Sequence, residues 1–126
     1  MTSTIRVDNF GPSAGGTTYS ARGIAKAWVN FNGTGTVAVR DSVNVASLTD
    51  NGTGDYMVNI ANNFAAADYS VGGYVVHGSG SGVHTICGDS TSGDPTASSI
   101  RVRVKNQAVT LFDPSMAGLN MMGDLA

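Results

Sequence analysis

Apolar and polar residues alternate along much of this chain with a period of two, the pattern of a strand that buries one face and wets the other. The clearest run is Ser99, Ile100, Arg101, Val102, Arg103, Val104 and Lys105. Its three aliphatic residues point one way and its three cations the other, whereas a helix would scatter both sets around its axis. Similar alternation covers 27–31, 36–40, 42–45, 56–60 and 69–76, and Ile86 and Cys87 belong to a further β-type run. Short strands are therefore expected throughout the middle of the chain. Asn32-Gly33-Thr34-Gly35 and Asn51-Gly52-Thr53-Gly54 repeat one turn chemistry between them, since asparagine and glycine take positive φ at small steric cost. Gly78-Ser79-Gly80-Ser81-Gly82 reads as a flexible hairpin tip, and 88–98 as the longest loop.

The ends differ from the middle. Residues 1–22 hold one short alternation, Ile5 and Val7 followed by Phe10, and then small residues. Residues 113–126 are apolar and methionine-rich, with no charge pattern to mark a wet face. The expected organisation is an N-terminal arm over 1–22, a single antiparallel β-sandwich of jelly-roll or immunoglobulin-like kind over 23–112, and an extended C-terminal apolar tail over 113–126. Neither end is self-sufficient, so docking onto a neighbouring subunit or protein is expected to order them. The candidate assembly residues are Ile5, Val7, Phe10, Met116, Leu119, Met121 and Met122.

Composition narrows the function. The chain has 126 residues, enough for one domain with a modest core. Charged residues are 13% of it, against roughly a quarter in ordinary domains. With 41% hydrophobic residues and a net charge of −2 the chain is expected to pack rather than stay disordered. No basic field recruits nucleic acid, and no apolar run approaches the ~20 residues that span a bilayer. The first ten residues lack the basic start and apolar stretch of a signal peptide, which predicts a soluble protein made in a cytoplasm.

Candidate chemistry is sparse. His77 and His84 flank the Gly/Ser segment and are placed to approach one another across it, but two imidazoles without a carboxylate or thiol make a poor metal site. The acidic residues are all aspartates and fall mostly in turns, where their side chains bond nearby backbone amides. No phosphate-binding loop, dinucleotide fingerprint or nucleophile elbow occurs, so no enzyme, cofactor or metal is expected. The single cysteine, Cys87, is expected to pack as a small hydrophobe. The row of Arg101, Arg103 and Lys105 has two readings, a solvated face that discourages edge-to-edge pairing and a clamp for an acidic partner. Trp28 and the tyrosines are candidates for stacking on sugars, although an aromatic in a small sandwich more commonly packs inside.

Two segments, AKAWVNFNGTGTVAVRDS at 25–42 and TDNGTGDYMVNI at 49–60, together with 67–73 and the opening 4–9, resemble a module of bacteriophage structural proteins of the tail-fibre and decoration-protein type. The resemblance covers about half the chain. It implies a β-rich, non-enzymatic module on the virion surface that works as a homotrimer among other virion proteins, and it brings no catalytic residues. A capsid decoration or cement protein, gripping the shell through its arms, is the leading expectation. A tail-fibre tip contacting a host-surface glycan is the alternative.

Overall fold

The computed structural model describes residues 9–11, 14–17, 19–20, 23–78, 82–88 and 93–126, and of 10, 19 and 20 the backbone only. The fold is all-β. A small ribbon pairs β1 (Asn9–Phe10) with β2 (Tyr19–Ser20). The remaining strands are β3 (Ala27–Asn32), β4 (Ala38–Val43), β5 (Val45–Gly52), β6 (Asp55–Ile60), β7 (Ser70–Val76), β8 (His84–Cys87), β9 (Ser99–Asn106) and β10 (Met116–Met122). They form two antiparallel four-stranded sheets, ordered β4-β3-β10-β7 and β5-β6-β9-β8, packed as a β-sandwich.

The alternation read from sequence sets which side chains meet. Ala27, Val29 and Phe31 of β3 and Ala117, Leu119 and Met121 of β10 face Tyr56, Val58 and Ile60 of β6 and Ile100, Val102 and Val104 of β9. The central strands of both sheets thus supply the core, and each fully buried Val, Leu, Ile, Met or Phe contributes about 1.5–3 kcal/mol. Phe31 meets Tyr56 edge-on at 4.9 Å between ring centroids, joining the sheets through an aromatic pair. On β9, Arg101, Arg103 and Lys105 point away from this core, as the alternation requires.

Three sequence expectations need correction. Residues 113–126 do not form an arm: β10 is a central strand, hydrogen-bonded to β3 on one side and β7 on the other. Its alternation is hidden because the outward positions are Met116, Gly118, Asn120 and Met122, none of them charged, and its inward ones lack the β-branched residues that mark a strand. β7 and β8 do not pair as the hairpin expected around the Gly/Ser segment, since they lie in different sheets. The run 42–45 is not one strand: Asn44, at φ 56°, ends β4 and turns the chain into β5 of the opposite sheet. Asparagine tolerates this left-handed conformation better than most residues. Its amide holds the corner, Oδ1 accepting from Asn62 N at 2.7 Å and Nδ2 donating to Asn62 O at 3.0 Å.

Candidate functional site

Strand alternation that sends Ala27, Val29 and Phe31 into the core sends Trp28 and Asn30 to the opposite face of the same sheet. The register then fixes their neighbours. Gly118 lies between Asn30 and Tyr74, and Asn120 lies between Trp28 and Gly72. Gly118 leaves the sheet bare at its position and Gly72 makes room for the Asn120 amide, while Trp28 and Tyr74 rise at diagonal corners, two strand steps or about 10 Å apart across the sheet.

The result is an open cleft of about 530 Å³, within the roughly 300–1,000 Å³ range of small-molecule sites. No charged side chain lines it. Tyr74 is 58% exposed and Trp28 half-buried. At Gly72 an added Cβ would lie 2.6 Å from Asn120 Oδ1, so the glycine is needed for the amide to sit where it does. Asn30 Oδ1 is covered from solvent and has no hydrogen-bond partner. A buried acceptor left unmet costs about 1–3 kcal/mol.

The other candidates resolve differently. His77 and His84 do meet, their rings stacked at 4.9 Å between centroids and 10° from parallel. Both lie edge-on against Phe112, at 4.7 and 4.9 Å. Parallel rings direct their nitrogen lone pairs side by side rather than onto one point, and among the described residues no three His, Cys, Asp or Glu side chains gather as a metal-binding group. Arg101 and Arg103 close on Asp55 of the neighbouring strand: Arg101 Nε and Nη2 donate to its two carboxylate oxygens at 2.7 and 2.8 Å, and Arg103 Nε donates at 3.1 Å. Both guanidiniums therefore serve an internal ion pair, and Asp55 is a buried strand residue rather than a turn residue. The hydrogen bond from Arg101 holds the Asp55 carboxyl below its ordinary range, against a smaller opposing effect of burial, and Arg103 adds to the lowering. Cys87 is half-buried on edge strand β8, with its Sγ 3.6 Å from the Arg103 carbonyl.

Of the candidate assembly residues, the structure places those of the C-terminal segment. Ile5 and Val7, and the side chain of Phe10, lie outside the described residues. Leu119 and Met121 are core residues, at 5% and 0% exposure, whereas Met116 and Met122 are half-buried on the outward side of β10. Reading the sequence strand by strand missed Asn30, Gly72, Gly118 and Asn120. The signal for Asn30 was present in the alternation of 27–31, which places it beside Trp28 on the outer face; the signal for the others needed the pairing of β10.

Comparison with protein-family models, with curated proteins and with solved structures found no match for the chain.

Proposed function

We propose that this chain is a non-enzymatic structural module displayed on the surface of a bacteriophage particle, placed at a fibre tip where its outer sheet faces a host-surface glycan. The particle part of the reading is supported by the resemblance at 25–42 and 49–60, residues that build β3 to β6. The observation that carries the placement is the uncharged cleft between Trp28 and Tyr74. Trp28 and Tyr74 present apolar ring faces there that gain from burial against a ligand. The residues that a C-terminal capsid-gripping arm requires are occupied as β10.

Capsid decoration is the second reading. It is favoured by the β1–β2 ribbon, which is hydrogen-bonded into neither sheet of the sandwich and would be the part that engages a neighbouring virion protein. Both placements accommodate a homotrimer. Purified chain added in excess to host cells should block adsorption of the phage that encodes it if the module is a fibre tip. Unchanged adsorption at saturating dose, with loss of capsid binding on removal of residues 1–22, would move the module to the head.

A further inference from the structure

We infer that the cleft between Trp28 and Tyr74 is a binding site for an uncharged saccharide, a ligand class that deepens the fibre-tip reading and rests on it. Four features of the cleft converge on this class. The two aromatic corners offer electron-rich ring faces, which attract the polarised C–H bonds on the flat side of a pyranose. The bare floor over Gly118 lets a flat ring approach the sheet backbone beside the Asn120 amide, where a larger side chain would hold it away. Asn30 and Asn120 each carry a donor and an acceptor on one amide, the arrangement that pairs with neighbouring sugar hydroxyls. The lining holds no cation for a phosphate, sulfate or sialate and no carboxylate for a basic ligand.

Asn30 decides between the saccharide and its nearest competitor. Proline-rich peptides also dock between aromatics on β surfaces. A proline residue carries no N–H, so a run of prolines over the cleft leaves Asn30 Oδ1 covered and without a donor, whereas a pyranose carries hydroxyls around its whole ring. A sugar hydroxyl supplies the missing donor once the amide turns toward the cleft mouth. The ligand thereby relieves an unmet acceptor of the unliganded sheet, and the Asn30 side chain becomes a specificity-determining contact.

Gly118 gives a clean occlusion variant. A Cβ placed there finds its nearest neighbour, the Val29 carbonyl oxygen, at 3.7 Å, an ordinary contact. Gly118→Val therefore seats its Cβ without a clash and sets two methyls on the floor, and its branched side chain suits a strand. Tyr74→Ala removes one wall from a residue that is 58% exposed, with little consequence for folding.

Calorimetric titration of the full chain with cellobiose, lactose and N,N′-diacetylchitobiose, alongside sialyllactose and a proline-rich peptide, tests the inference. At least one neutral disaccharide should bind. Tyr74→Ala should weaken it roughly three- to tenfold, and Gly118→Val should abolish it while both variants keep the wild-type circular dichroism and sedimentation. Binding of sialyllactose or of the peptide in preference to the neutral sugars overturns the inference, as does binding that survives both variants. A change in sedimentation with no sugar binding by the wild type overturns it in favour of a second copy seated on the cleft. Blocked phage adsorption together with no neutral sugar bound would sink the saccharide class alone; failure of both would sink the recognition reading with it.

Discussion

The hydroxyl of Tyr56 donates to Oδ1 of Asp113 at 2.8 Å, and the amide of Gly54 donates to the same oxygen at 2.8 Å. One residue further on, the Pro114 carbonyl accepts from Gly33 N at 2.8 Å. The two Asn-Gly-Thr-Gly segments, similar in sequence and distant along the chain, are thus fastened at one end of the sandwich by a single dipeptide. Burial and the bond to Asp113 both push the Tyr56 phenol far above its ordinary range, so it stays a neutral donor throughout the accessible pH range. Tyr56→Phe should keep the aromatic contact with Phe31 and lose only this knot, for a destabilisation of about 1–2 kcal/mol by urea titration. An unchanged midpoint would mean that the knot follows the fold rather than supports it.

The two turn segments use their glycines for different reasons. At Gly33 an added Cβ would collide with Tyr56 Oη and lie 2.6 Å from Pro114 Cδ, whereas at Gly35, with φ 63°, it would meet open space. Gly33→Ala should therefore destabilise by about 1–3 kcal/mol through overpacking. Gly35→Ala should lose about 1 kcal/mol through backbone strain alone. Thermal melts of the two variants, with the Gly33 variant the less stable, check this ordering.

Asp55 makes stability depend on acid. Its folded-state pKa is lowered by Arg101, then by Arg103, so the unfolded chain binds the proton more readily. The contribution of the pair is complete above the ordinary value of 3.8 and is lost as the pH falls through the lower folded-state value. Asp55→Asn should cost about 2 kcal/mol near neutrality, between the small worth of exposed pairs and the larger cost of breaking a buried one. The gap between wild type and variant should narrow in melts taken from about pH 5 down to about pH 2. A constant gap would show that shape, rather than charge, is what the carboxylate supplies.

Val109 sits at φ 64° and is 69% exposed in the turn after β9. A β-branched residue in the left-handed region is strained by about 1–3 kcal/mol. Hydrogen bonds from Val109 N to the Asn106 carbonyl and from Thr110 N to Asn106 Oδ1, both at 2.9 Å, hold the turn regardless of the side chain. Val109→Asn should raise the unfolding free energy by about 1 kcal/mol. A variant no more stable than wild type would contradict the strain.

How much of this was legible depended on what marks a strand in one dimension. The run 99–105 announced itself because aliphatic and cationic residues alternate, and β3, β6 and β7 were legible for similar reasons, whereas β4, exposed along nearly its whole length, was divided between the runs 36–40 and 42–45. β10 was not: Met116, Ala117, Gly118, Leu119, Asn120 and Met121 carry no charge and no β-branch, so inward and outward positions look alike. The approach of His77 to His84 was expected across a hairpin, whereas the two strands that carry them to their contact lie in different sheets. The pairing of Asp55 with two arginines was invisible, because an aspartate beside an Asn-Gly-Thr-Gly turn carries the marks of a turn residue. The cleft was half legible. Trp28 and the tyrosines were marked as possible sugar platforms, but its floor and far wall come from β10 and β7, whose neighbourhood only long-range pairing decides.

The proposed placement sets the module at the tip of a phage fibre with its outer sheet toward the host. Immunogold electron microscopy of purified particles, with antibody raised against this chain, tests it most directly. Label confined to the distal end of the tail is the expected result; label spread over the head would contradict the fibre-tip placement and establish decoration, and particles without label would contradict the virion assignment itself.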